Sequence, residues 1–117
     1  MGRLSTHVLD TVSGRPAAGV ALELFAIDAD GNRRFITGTV TNADGRTDAP
    51  LMAGDDYHPG TYEIVFHMGA YFRASGAKTA EPPFLDLVPL RFTVSEDGHY
   101  HVPLLCSPWA YSTYRGS

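Results

Sequence analysis

Apolar and polar residues alternate along most of this chain with the two-residue period of a β-strand. The first such stretch is Leu4-Ser5-Thr6-His7-Val8-Leu9-Asp10, rich in β-branched residues, and it runs into a turn cluster at Ser13-Gly14-Arg15-Pro16. Val20 to Ile27 predicts a second strand. Asp28-Ala29-Asp30-Gly31-Asn32 predicts a hairpin connection into a third strand, Arg33 to Thr41. Asn42-Ala43-Asp44-Gly45 is another turn, followed by Arg46 and a short strand to about Ala49. Pro59-Gly60 leads into Thr61 to His67. A short helix is predicted from Gly69 to Ser75, capped by Gly76. Pro82-Pro83 breaks the chain, and Pro89 places the strand Leu85 to Val94 at a sheet edge or bulge. After a turn at Asp97-Gly98 come two last strands, His99 to Cys106 and Trp109 to about Arg115, hinged at Ser107-Pro108. The pattern predicts about eight short strands and no repeat or linker. It implies one all-β domain over residues 1–117, a two-sheet sandwich with one short helix.

The same alternation sorts the polar residues by face. His99 and His101 share one face of their strand, and Val102, Leu104 and Cys106 form its core face. His7 and Leu9 point away from Thr6 and Val8, and Ser112 shares a face with Tyr114. The polar members therefore collect on a surface that suits solvent, a site or a subunit interface. The tail is unusual in the same sense. Chain ends usually fray, but residues 99–117 hold Trp109, three tyrosines and two histidines, and finish in Tyr114-Arg115-Gly116-Ser117. That composition predicts a tail packed into the protein and engaged in its chemistry.

Composition narrows the partners. The net charge is −4 and the pI about 5.6, so no basic excess exists to neutralise nucleic-acid phosphates. Lys78 is the one lysine and the arginines are scattered apart from Arg33-Arg34, which leaves no polybasic patch for a membrane surface. No apolar run reaches the length of a membrane span, and no leader peptide is visible before the first strand. A single cysteine, Cys106, permits no internal disulfide and no cysteine-based zinc cluster, and it is compatible with the cytoplasm.

Candidate chemistry begins with the histidines. His58 and His67 read as surface or satisfied residues. His99-x-His101 with His7 as a third ligand would suit zinc, but no carboxylate lies near the pair on its own face. Asp28-Ala29-Asp30-Gly31-Asn32 imitates the opening of a calcium loop, yet Arg33 and Thr39 stand where that loop requires glycine and glutamate. It reads as a turn. Cys106 faces the core, away from His101, so a cysteine–histidine nucleophile is not expected. The chain contains no Gly-x-Ser-x-Gly elbow.

Three segments carry a resemblance: Thr6-His7-Val8-Leu9-Asp10; Thr41-Asn42-Ala43-Asp44-Gly45-Arg46; and His99-Tyr100-His101-Val102-Pro103-Leu104-Leu105 with Ser107-Pro108-Trp109-Ala110-Tyr111-Ser112-Thr113-Tyr114-Arg115-Gly116-Ser117. On these the chain resembles the 5-hydroxyisourate hydrolases, the enzyme branch of the transthyretin-like proteins. The resemblance covers the whole chain and implies a transthyretin-like sandwich assembled as a homotetramer, with the sites in a channel between paired dimers. It implies catalytic roles for His7, Arg46, His101 and Ser117, and substrate contacts from His7, Arg46, Tyr114, His99 and Ser112. The implied reaction opens the cyclic amide of 5-hydroxyisourate to 2-oxo-4-hydroxy-4-carboxy-5-ureidoimidazoline, a step of urate degradation needing no metal or organic cofactor. Transthyretin itself, the related hormone carrier, lacks these histidines and this arginine. The alternative reading is a non-catalytic module that holds a small ligand in the same channel.

Overall fold

A computed structural model describes residues 2–116. Its strands are β1 (Arg3–Ser5), β2 (Val8–Asp10), β3 (Arg15–Pro16), β4 (Ala21–Ile27), β5 (Arg33–Val40), β6 (Met52–Ala53), β7 (Gly60–His67), β8 (Leu87–Val94), β9 (His99–His101), β10 (Leu104–Cys106) and β11 (Tyr111–Ser112). Among the described residues a 3-10 turn (Gly54–Asp56) follows β6 and one α-helix, α1 (Met68–Ser75), follows β7. One sheet is ordered β5-β4-β7-β8 and is antiparallel throughout. Opposite it lie β6-β1-β9 and β11-β10-β2-β3, with β1 parallel to β9 and β2 parallel to β10. These two sets join into one layer, because the N–H of Val102 donates to Ser5 O (2.9 Å) and that of Leu104 to His7 O (2.9 Å). The fold is the expected all-β sandwich.

The core forms because every second residue of each layer points inward. Leu4, Val8, Tyr100, Val102, Leu104 and Cys106 meet Leu22, Leu24, Ile64, Phe66, Val88 and Val94 in one buried cluster. Burying a side chain such as Phe66 contributes roughly 1.5–3 kcal/mol. The buried Thr41 Oγ1 donates to Ala17 O (2.6 Å) and accepts from the N–H of Val20 (2.9 Å). The Asp10 carboxylate accepts the N–H groups of Val12 and Ser13 and the hydroxyl of Tyr71 on α1. Burial, then that bond and the Asp10 charge, push the Tyr71 phenol up to about 12. Gly76 ends α1 in a left-handed conformation, as its sequence position predicts. No helix among the described residues is long and apolar enough to cross a membrane.

Several boundaries differ from the sequence pattern. The first strand and the strand from His99 are each interrupted at the same level, at Thr6-His7 and Val102-Pro103. At that level the Thr6 hydroxyl donates to the Val102 carbonyl (2.6 Å), and Pro103 has no N–H to offer the ladder. The predicted strand from Arg46 to Ala49 does not form; Arg46 makes one isolated bridge to His7, and pairing resumes only at β6. The final strand is confined to Tyr111–Ser112, with a separate bridge at Gly116. Pro89 does lie on an edge strand, β8. The calcium-like segment is a hairpin turn whose Asp28 carboxylate accepts the N–H groups of Asp30 and Asn32 (both 2.9 Å).

Candidate active site

The site is built where the first strand runs between two neighbours. Alternation keeps Leu4, Thr6, Val8 and Asp10 in the core and turns Ser5, His7 and Leu9 to the outer face. On one side of His7 lies Arg46, bridged to it in antiparallel fashion. The Asn42–Arg46 turn delivers this residue. The Asn42 side chain accepts the N–H groups of Asp44 (2.9 Å) and Arg46 (3.2 Å), while Gly45 O accepts from Val8 N–H (2.8 Å). Gly45 has φ +73°, and a methyl group there would lie 2.5 Å from Val8 O, so only glycine lets the turn approach the strand so closely. The Arg46 guanidinium is exposed and has no acceptor among the described residues.

On the other side of His7 lies β9, whose parallel register sets His101 opposite Ser5. His101 Nε2 is 2.6 Å from His7 Nδ1, and His101 Nδ1 is 2.8 Å from Ser5 Oγ. The ring centroids are 4.8 Å apart and the planes differ by 21°. That separation is about one hydrogen bond plus a ring radius at each end, so the imidazoles meet edge to edge rather than face to face. Burial, then the Arg46 charge, holds His7 below the usual histidine range. Burial, then His7, then Arg46, does the same for His101. Both rings are therefore neutral at neutral pH, each with one lone pair to offer.

The tail closes over this pair. Leu105 lies opposite Ser112, and the same register continues to His101 opposite Gly116, whose N–H donates to His101 O (2.7 Å). By alternation Ser112, Tyr114 and Gly116 lie on the face of His101. Ser112 and Tyr114 are exposed and make no side-chain bond to the pair. Arg115 turns the other way, with Cζ 4.2 Å over the Tyr100 ring. His99 is exposed on the His101 face and has no hydrogen-bond partner among the described residues, so the structure does not bring it to the pair. Ser117 lies outside the described residues. Ser5 is the member that sequence reasoning missed, although the alternation that places His7 places Ser5 too.

Two other candidate chemistries are not assembled among the described residues. Cys106 is fully buried, and burial, then Asp10, pushes its thiol up to about 11. No group of three or more His, Cys, Asp or Glu side chains among the described residues could hold a metal ion. A groove of about 440 Å³ runs between β8 and the tail, lined by Arg91, Phe92, Tyr100, Tyr111, Tyr114 and Arg115. The histidines are not in it; they lie on the open sheet face.

The model of the HIUase/Transthyretin family matches residues 4–116. This chain belongs to the HIUase/Transthyretin family. Within the family it is 57% identical over 117 residues to 5-hydroxyisourate hydrolase 2 of Rhizobium meliloti (strain 1021), covering 99% of this chain and 97% of that protein. A crystal structure of (S)-allantoin synthase superposes with TM-score 0.93 at 44% identity over 99% of this chain, which spans 44% of that longer protein. Sea bream transthyretin in complex with thyroxine superposes with TM-score 0.86 at 32% identity, covering 97% of this chain and 94% of that one. The fold is thus shared by 5-hydroxyisourate hydrolases and by a transthyretin that binds thyroxine, so the fold alone does not fix the activity.

Proposed function

We propose that His7, His101 and Arg46 hydrolyse 5-hydroxyisourate, opening its cyclic amide to 2-oxo-4-hydroxy-4-carboxy-5-ureidoimidazoline. The chain is a hydrolase of urate degradation, as its high identity to 5-hydroxyisourate hydrolases indicates. The observation that carries the assignment to these residues is the 2.6 Å contact between two imidazoles that burial holds below the usual histidine range, beside a guanidinium with no acceptor among the described residues. One imidazole takes a proton from water as the water oxygen bonds to the amide carbon. The carbonyl electron pair moves to oxygen, where Arg46 supplies charge and paired N–H donors. The C–N bond then breaks, and the departing nitrogen receives the proton held by the histidine pair. Water, histidine and substrate balance with no group borrowed from a metal or organic cofactor.

Tyr114 and Ser112 would contact the substrate from the tail, with His99 further along the same face. Ser117 would orient a histidine or the water. The open face becomes a concave site only against other copies of the chain, which supports a homotetramer. Residues 1–117 would act as one domain, in the cytoplasm, on a small-molecule substrate, with no nucleic acid or membrane as partner. The carrier-like alternative is favoured by the likeness to transthyretin.

The test is to generate 5-hydroxyisourate in situ by urate oxidation and follow its ultraviolet decay. The protein should accelerate the decay at catalytic concentrations, and His7→Ala and His101→Ala should each lower turnover by about 10²–10⁴. Decay at the buffer rate with retained ligand binding would establish the carrier reading. Wild-type turnover in both variants would remove the histidines from the chemistry. Light scattering measures the assembly.

A further inference from the structure

We propose that Ser5 is a positioning residue that sets the tautomers of the histidine pair: Ser5 Oγ accepts the Nδ1–H of His101, His101 Nε2 accepts the Nδ1–H of His7, and His7 Nε2 keeps a free lone pair. The inference rests on the reading above, that the pair activates water, and extends it to a residue that acts through His101. Ser5, His101 and His7 form a chain with steps of 2.8 and 2.6 Å. A neutral imidazole carries one N–H and one lone pair. Two neutral imidazoles in such a chain have only two consistent arrangements. Hydrogens point from His7 toward Ser5, or from Ser5 toward His7. In the first, His7 Nε2 accepts; in the second it is an N–H. Only the first can take a proton from water. A hydroxyl at one end of the chain thus decides whether the other end is a base.

The strand order selects the first arrangement. β9, carrying His101, pairs with one side of the first strand, and Arg46 bridges His7 from the other. The outward end of the chain therefore lies toward the cationic side. A lone pair pointing toward a guanidinium is favourable, whereas an N–H pointing toward it is repelled. The opposite end needs an acceptor for the Nδ1–H of His101, and Ser5 Oγ is the group in place there. A hydroxyl satisfies this role, since it accepts from the ring while its own hydrogen turns to water. Removing the hydroxyl leaves His101 Nδ1 without its partner and frees the pair to reverse.

The experiment uses full-length protein labelled with ¹⁵N-histidine. Two-bond ¹H–¹⁵N correlation spectra at pH 8 report each tautomer, and turnover is measured on the same samples of wild type, Ser5→Ala and Ser5→Thr. In the wild type His7 and His101 should both carry their hydrogen on Nδ1. Ser5→Ala should shift the population toward Nε2–H and lower kcat about five- to tenfold, the bias that one neutral hydrogen bond supplies, with KM unchanged. Ser5→Thr keeps the hydroxyl and should restore both readings. A wild-type His101 protonated on Nε2 would overturn the proposal. So would unchanged tautomers in Ser5→Ala, whether or not kcat fell. Tautomers that shift in Ser5→Ala while His7→Ala retains full hydrolysis would uphold tautomer control by Ser5 and remove the pair's proposed role in catalysis.

Discussion

Gly116→Ala tests whether the tail holds the site. Gly116 bridges His101 through the backbone, and a methyl group on it would lie 2.9 Å from Cδ2, 3.1 Å from Cβ and 3.3 Å from Cγ of that imidazole. Ordinary contact begins near 3.4 Å, so the gap must open by about half an ångström. The ring has little freedom to retreat, because both of its nitrogens are engaged, by Ser5 at 2.8 Å and by His7 at 2.6 Å. Either the imidazole leaves its partners or the tail lifts and loses the 2.7 Å bond from Gly116 N–H to His101 O. Misplacing a reacting group by about 1 Å costs on the order of 10²-fold, so half of that predicts a loss in kcat of about 10-fold or more. The stability cost is small, about 1 kcal/mol for one backbone bond, and the melting temperature should fall by only a few degrees. The assay is 5-hydroxyisourate decay beside calorimetry on the same preparation. Wild-type kcat with unshifted His101 resonances would refute the argument that the tail positions this ring.

Other outcomes follow from the same geometry. The acid limb of kcat/KM should lie below pH 6.5, since burial and Arg46 hold both histidines down, and Arg46→Gln should move it upward; an acid limb at or above 6.5 in the wild type would count against a neutral pair. Stability follows the same sign. The unfolded chain binds protons more readily than the folded pair, so stability falls as pH drops through 6.5 and the loss is complete below the folded values, as urea midpoints across that range should record. Dialysis against EDTA should leave turnover intact, and restoration by zinc after loss would overturn the metal-free scheme. Cys106→Ser should leave turnover within about twofold while lowering the urea midpoint, because a hydroxyl in that buried place costs roughly 1–3 kcal/mol; a folded but inactive variant would contradict the core placement.

The strand faces were legible because a period of two fixes them whatever the register. His7, His101 and Ser112 fall on the outer face for that reason, and Val102, Leu104 and Cys106 on the inner one. Gly45, Gly76 and Pro89 were legible for a different reason: each has a backbone restriction that suits few places. The interruption at Thr6-His7 was not, because it arises from Thr6 bonding a carbonyl 96 residues away. Nor was the separation of His99 from the pair. A shared face says only that two side chains point the same way, and the partner strand ends its pairing with His99 at Arg3, which brings no site residue there. Ser5 went unnoticed because serine in a strand carries no signal until a nitrogen from a distant strand is placed against it.

The parallel pairing of β1 with β9 and of β2 with β10 also has a cost during synthesis. The ribosome makes the first strand of the site early, but its partner emerges only some 94 residues later. At about 5–20 residues per second this interval lasts seconds. Throughout it the edge of β1 and β2 that β9 and β10 will cover stays open, and Leu4 and Val8 lack their same-layer core neighbours Tyr100, Val102, Leu104 and Cys106. The nascent chain thus carries an apolar strand with an open edge, the kind of surface that recruits chaperones or other nascent chains. Enzymatic activity appears only after that edge closes, so yield of active protein should depend on chaperone supply more steeply than the stability of the finished fold would suggest.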